Sequence, residues 1–267
     1  MKYSIKDFRK EFPDERACLD YIFKKKFPDL KGYYFVTGRK CYANAQGKQI
    51  HPVKGTIFEH SSTPLTLWFY AIYLFSVHKN GVSAKTLQRQ LGVTYKTAWR
   101  IGHQIRTLMN QDGDLLKGVV EADETYYGGR RRKGKKMANK SAVMGMVERG
   151  GRIKVKHVPN RQTHIVLNTI KDNVAKGAYL VTDEYYPYKR TVALGYKHYF
   201  IKHGKKHYVQ GKVHTNTIEG FWSQLKRSIS GTYHVVSPKY LQTYADEFAF
   251  RYNHRISPVF EALLKKT

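Results

Sequence analysis

The chain is predicted to be an α/β protein: a mixed sheet with flanking helices, preceded by a small N-terminal region and a helix-turn-helix. Three observations lead there. From residue 115 onward, short β-branched and aromatic runs alternate with segments whose apolar residues recur every three to four positions, the pattern of strands interleaved with helices. A hydrophobic content of 41% in 267 residues, with Tyr 21, Phe 13 and Trp 3, suffices for one large core and a smaller appended one. Two of the strand-like runs carry an aspartate, which a sheet tolerates only if the carboxylate meets a cation or a donor.

Composition narrows the partners. Lys and Arg number 48 against 20 acids, a formal net charge of +28. Such a surplus favours a polyanion, with nucleic acid ahead of a membrane surface, because phosphate neutralisation releases counterions. The longest apolar run, Leu65 to Val77, is too short for a membrane span, and Met1 to Asp7 holds no apolar signal core. Cys18 and Cys41 cannot build a disulfide framework or a four-cysteine zinc site, so no zinc is expected and a reducing cytoplasm fits.

Residues 1–60 form the N-terminal region. Asp14 to Lys25 reads as a helix with Ala17, Tyr21 and Lys24 on one side; Tyr33–Val36 and Arg39–Tyr42 read as a small hairpin. Residues 61–112 turn helical. Pro64 suits a first turn, and Leu65, Trp68, Phe69, Ile72 and Phe75 form its stripe. Ser83 caps a helix through Leu91, Gly92-Val93 turns, and Thr94 caps a helix to Met109 with Ala98, Ile101, Ile105 and Leu108 in step. Two helices so joined make a helix-turn-helix presenting Tyr95, Lys96, Thr97 and Arg100 to a DNA groove. Two packed helices with no DNA role fit the same pattern, and the charge surplus favours DNA. Gln111 to Asp114 reads as a linker.

Residues 115–258 make the sheet domain. Val119 to Tyr127 is a strand bearing Asp123, stopped by Gly128-Gly129. Arg130, Arg131, Arg132, Lys133, Lys135 and Lys136 follow, either a solvated run or a grip on phosphates beside the acid. Ser141–Glu148 and Arg152–Val158 form a hairpin across Gly150-Gly151. Thr163 caps a helix with Val166, Ile170 and Val174, ended by Gly177. Ala178 to Thr182 is a strand ending on Asp183; a short helix or loop through Leu194 and a strand at His198–Ile201 follow. A helix then carries Ile218, Trp222, Leu225 and Ile229 as its stripe, with Glu219, Ser223 and Lys226 on an adjoining face. Lys226 stands about 10 Å along the axis from Glu219 at ~1.5 Å per residue, so both can reach one DNA strand. A final helix, Pro238 to Arg255, has Leu241, Tyr244, Phe248 and Tyr252 inside, with Arg251 and Arg255 read as solvated charges. This order of elements matches the ribonuclease H-like fold.

Asp123, Asp183 and Glu219 therefore form a trio of hard oxygen donors suited to divalent cations. Asn216, one turn before Glu219, is a rival for the third position; alternatively Asn216 is an N-cap with Glu219 as its capping-box partner.

The residues Glu121-Ala122-Asp123-Glu124-Thr125-Tyr126-Tyr127-Gly128-Gly129, then Thr182-Asp183-Glu184-Tyr185, then His214 to Arg227 carry a specific resemblance, extended by Gly231-Thr232-Tyr233-His234 and Glu247 to Asn253. Together they resemble an insertion-sequence DDE transposase with an ISXO-like catalytic domain, over about Gly55 to Arg255. The resemblance implies metal-dependent cleavage and strand transfer at the terminal inverted repeats of a mobile element. It implies Mg²⁺ or Mn²⁺ on Asp123, Asp183 and Glu219, with Lys226 at the active site, and double-stranded DNA as partner. It also implies a homodimer or larger synaptic complex, nucleoid-associated in a bacterial cytoplasm. In such proteins the N-terminal region resembles a zinc ribbon of paired Cys-x-x-Cys knuckles; those pairs are missing here, so residues 1–60 read as a degenerate ribbon.

Three rivals stand beside that reading. A DNA-binding regulator or inactive remnant would dock without cutting, and a ribonuclease H-like metal nuclease would cut without joining. A tyrosine recombinase would need arginine and histidine partners around its nucleophile, for which only His203, His207 and His214 near Tyr208 offer themselves.

Overall fold

The computed structural model describes residues 3–111, 113–128, 140–201 and 214–267. The chain divides into two compact units, one made of residues 1–108 and 256–267, the other of residues 109–255. Among the described residues no helix is long and apolar enough to cross a membrane.

The first unit is held by aromatic packing. Helix α1 (Ile5–Glu11) starts at a capping box between Ser4 and Asp7, and α2 (Glu15–Lys26) at Asp14, whose carboxylate accepts the Ala17 N–H at 2.8 Å. Strands β1 (Tyr33–Val36), β2 (Cys41–Asn44) and β3 (Gln49–Ile50) form an antiparallel sheet. The second strand begins two residues later than the pattern predicts, because Lys40 takes a left-handed turn conformation at φ 48°. Phe23 of α2 stacks on Tyr42 of β2 with ring centroids 4.0 Å apart, and Phe35 and Tyr33 add to the cluster. Cys18 and Cys41 are buried free thiols on these two elements, and burial pushes the Cys18 thiol up to about 12. Helix α3 (Leu65–Val77) is buried on most of its circumference, and Phe260 of α10 (Val259–Leu264) packs beside its Tyr73. Helices α4 (Ala84–Leu91) and α5 (Tyr95–Thr107) begin at Ser83 and Thr94, each accepting a backbone N–H three residues on. Gly92, at φ 63°, ends α4 in a conformation that favours glycine.

The second unit is a five-stranded sheet in the order β6-β5-β4-β7-β8, formed by β4 (Val119–Tyr127), β5 (Ser141–Glu148), β6 (Ile153–Val158), β7 (Tyr179–Thr182) and β8 (Lys197–Phe200). The first three run antiparallel as a meander; β7 and β8 run parallel to β4. Helices α6 (Thr163–Asn173) and α7 (Tyr186–Lys189) cover one face, over Val120, Ala122, Met144, Met146 and Leu180. Helices α8 (Asn216–Ser228) and α9 (Leu241–Asn253) cover the other, over Val143, Val147, Ile153 and Val155. Strict alternation along β5 thus feeds two cores, as a sheet buried on both faces requires.

Side-chain amides close the outer edge of β6. Asn253 accepts the Ile153 N–H at 2.8 Å and donates to its carbonyl at 3.0 Å, mimicking a strand neighbour. Gln111 accepts from Val155 N–H, and Gln242 from His157 N–H. An exposed row of backbone donors would invite pairing with another chain, and these three residues remove it.

Three local expectations change. The cap of α6 is Gln162, with Thr163 its first residue, and the helix ends at Asn173 before reaching Gly177. Arg251 is not solvated: it is buried against the fully buried Glu247 at 2.7 Å, in a pair that also receives the Tyr233 hydroxyl. Arg255 is exposed, and it ties the β5–β6 turn through the carbonyls of Gly150 and Gly151.

Candidate active site

Strand pairing brings the first two acids together. Val119, Val120 and Glu121 of β4 lie beside Tyr179, Leu180 and Val181 of β7. Asp123 and Asp183 each lie two residues beyond the last of these pairs, toward the C-terminal side of both strands. Asp183 follows the last residue of β7, and its Oδ1 accepts the Tyr185 N–H at 3.0 Å, turning the chain at the strand end.

Asp123 projects toward α8, where the Trp222 indole N–H donates to its Oδ2 at 3.0 Å. The indole comes that close because residue 145, opposite Asp123 on β5, is glycine. A Cβ there would lie 2.6 Å from the Trp222 ring and 2.7 Å from Ile218. Burial, and then the charges of Asp183 and Glu219, raise the Asp123 carboxyl above its ordinary value; a backbone hydrogen bond at Glu124 and, less strongly, the Trp222 bond oppose them. Both of the other predicted acids are therefore near enough for Asp123 to feel their charge.

Glu219 is exposed on the first turn of α8, and its Oε1 accepts the Thr215 hydroxyl at 2.8 Å. The N-cap of α8 is Thr215, so Asn216 is the helix's first residue and is exposed; it does not cap. Lys226 is exposed on the same helix, seven residues beyond Glu219. Among the described residues no three His, Cys, Asp or Glu side chains are gathered to hold a metal ion. Asp183 and Glu219 each face a local donor instead.

The donors nevertheless fit a divalent cation in kind. They are hard carboxylate oxygens, they crowd one another, and one of them is held in place by a neutral indole rather than by a lysine or arginine.

Two further acids of the same strand carry roles that sequence reasoning did not assign. Glu121 is fully buried and saturated. It accepts from the Arg149 Nε at 2.8 Å, from the Thr217 N–H and hydroxyl at 2.9 Å, and from the Ile218 N–H at 3.1 Å, with His214 Nδ1 at 3.3 Å. A carboxylate on the first amides of α8 also meets the positive end of the helix dipole. Glu121 thereby fixes where α8, which carries Glu219, begins. Glu124 points to the opposite face. Burial, then the charges of Asp183 and Asp123, push its carboxyl up to about 7, against the pull of Arg161 and Tyr188, and its Oε1 has no hydrogen-bond partner.

The predicted DNA contacts fall in two groups. Tyr95, Lys96 and Arg100 are exposed on α5; Thr97 is half-buried and shares the cap with the Thr94 hydroxyl at 3.0 Å. Arg100 also reaches Ser61 at 3.3 Å. Arg130, Arg131, Arg132, Lys133, Lys135 and Lys136 lie outside the described residues, as do His203, His207 and Tyr208.

Residues 115–253 match the ISXO2-like transposase domain. Over 229 residues the chain is 27% identical to an uncharacterized protein in transposable element ISH50 of Halobacterium salinarum, an alignment covering 78% of this chain and 76% of that protein. Among solved structures, the cryo-EM structure of the simian T-cell lymphotropic virus intasome in complex with PP2A regulatory subunit B56 gamma contains a similar chain. It aligns with 66% of this chain and 63% of its own length, at 13% identity and a TM-score of 0.32.

Proposed function

We propose, from the premise that this chain belongs to the ISXO2-like transposase family, that it cuts the terminal inverted repeats of an insertion sequence and joins the freed ends to target DNA with divalent metal. The observation that supports the reading is the parallel pairing of β4 with β7, the strand that Asp183 follows, together with the charges of Asp183 and Glu219 felt at Asp123. The meander followed by two parallel strands, with helices on both faces, supports a ribonuclease H-like fold for residues 115–258. The degenerate ribbon of residues 1–60 and the α4–α5 pair, read as a helix-turn-helix within residues 61–112, would precede it and recognise the repeats through Tyr95, Lys96, Thr97 and Arg100.

In this reading Asp123, Asp183 and Glu219 hold Mg²⁺ or Mn²⁺. When bound, two such ions favour deprotonation of the attacking water or 3′-hydroxyl and neutralise charge on the leaving oxygen. The chain's own groups prepare that chemistry. Trp222 holds one oxygen of Asp123, so its carboxylate stays aimed along the α8 face. Glu121, through the Thr217 and Ile218 amides, holds the start of α8. Lys226 and the arginines and lysines of 130–136 would take backbone phosphates. Joining two ends requires two active sites, so a homodimer or larger synaptic complex with double-stranded DNA is the expected working form.

The test is a strand-transfer assay on labelled element ends with Mg²⁺ or chelator. Asp123→Asn, Asp183→Asn, Glu219→Gln and Asn216→Ala are assayed side by side. The first three should fall to background while Asn216→Ala keeps activity. An active Glu219→Gln with a dead Asn216→Ala would move the third ligand to Asn216. Hydrolysed ends without joined product would make the protein a nuclease, and binding without any cleavage a remnant or regulator.

A further inference from the structure

Arg161 lies in the connection between β6 and α6, two residues before the helix. Its guanidinium is 4.5 Å from the Tyr185 ring centroid and 5.1 Å from the Tyr126 ring centroid, and the Tyr126 hydroxyl bonds it. The Tyr185 hydroxyl donates to the Arg161 carbonyl at 2.9 Å, fixing the backbone as well. Both rings belong to the segments that carry the acids. Tyr126 follows Glu124 by two residues on the same face of β4; Tyr185 follows Asp183 by two and gives it a backbone N–H. The guanidinium is therefore held at the rim where β4 and β7 end, and Glu124 feels its charge. None of the ion pairs of the described residues includes it.

This is an unusual way to keep an arginine. A long side chain normally loses much rotamer freedom on binding, but one clamped between rings has already lost it. Its planar fork matches a phosphodiester in two parallel bonds, a geometry lysine cannot supply. The surrounding carboxylates would repel a DNA strand, so a fixed cation among them has a clear electrostatic use.

We propose that Arg161 is a phosphate-binding residue of the carboxylate site: its ring-clamped guanidinium grips a backbone phosphodiester of the DNA strand at the rim formed by β4 and β7. The proposal rests on the transposase reading and adds the residue that grips the strand beside its acids.

The experiment reads the salt dependence of binding. Full-length protein is titrated, with chelator present, against a labelled duplex bearing the terminal sequence of the element, at a series of KCl concentrations. Arg161→Gln should make the slope of log Kobs against log[KCl] shallower by about 0.9, one duplex phosphate, while its melting temperature confirms folding. Arg161→Lys should restore the slope yet bind several-fold more weakly, because an ammonium has no fork. Tyr185→Leu should keep the slope and dissociate faster. An unchanged slope for folded Arg161→Gln overturns the proposal. So does a binding defect that Glu124→Gln reverses, since Arg161 would then be only a counter-ion for Glu124. If Arg161→Gln does not fold, the lysine variant decides, and wild-type affinity for it overturns the proposal. Because chelator stops chemistry, a wild type that makes no joined product in Mg²⁺ would sink the transposition reading without touching this comparison.

Discussion

Strand β4 holds two carboxylates on the same face, two residues apart, in opposite circumstances. At Glu121 the protein supplies an arginine, two backbone amides and a hydroxyl, and the side chain is fully buried. At Asp123 it supplies one backbone N–H, at Glu124, and one indole N–H, with no cationic partner, and sets the group under the charges of Asp183 and Glu219. A carboxylate saturated by its own chain has nothing left to offer a ligand; a crowded one with neutral donors alone does. Position on a strand is thus a poor guide to role, and the inventory of partners a good one.

The largest effect should come from breaking the saturated site. Glu121→Ala strands Arg149 and the first amides of α8, and should lower unfolding free energy by about 3–5 kcal/mol in denaturant titrations. The matching change at the crowded site, Asp123→Asn, should leave stability unchanged or raised, since it removes a repelled charge. Equal losses at both sites would erase the distinction.

Next in size is a pH effect beside the crowded site. The Glu124 carboxyl titrates near 7 in the folded chain and near its ordinary value of 4.5 when unfolded. Between those two values the native state keeps a proton that the unfolded chain has released. The contribution of Glu124 to stability should therefore be fully present below about 4.5 and be lost as pH rises through 7, by up to about 3 kcal/mol in the absence of metal. Glu124→Gln should flatten that slope in melting curves taken with chelator; an equally steep slope in the variant would place the titration elsewhere.

The smallest effect tests the link between the two sites. Gly145→Ala forces a methyl against Trp222 and Ile218, at an overpacking cost of about 1–3 kcal/mol. It should also shift the indole from Asp123, so tryptophan fluorescence should change along with stability. Loss of stability with unchanged emission would separate the packing of Trp222 from its hydrogen bond.

Much of the fold was legible because its signals are local. Ser83 and Thr94 cap the helices that their positions predict, and the stripe Ile218, Trp222, Leu225 and Ile229 is buried as the spacing requires. The failures share a cause. Glu121, Gly145, Arg161 and the buried Arg251–Glu247 pair owe their roles to residues far along the chain, and periodicity says nothing about such meetings. Asn216 illustrates the trap: its sequence context suits a cap, yet Thr215 holds that position and the Thr217 and Ile218 amides are taken by a strand almost a hundred residues away. Strand β3 escaped notice because two residues are too few to show alternation.

The grip of Glu121 on the amides of Thr217 and Ile218 also limits how this protein can change length over evolution. With the helix start pinned, one residue inserted between Ile218 and Glu219 would swing the acid by about 100° around the axis. Relatives that keep this clamp should show gap-free alignment from His214 to Glu219, even where the surrounding loops have grown or shrunk.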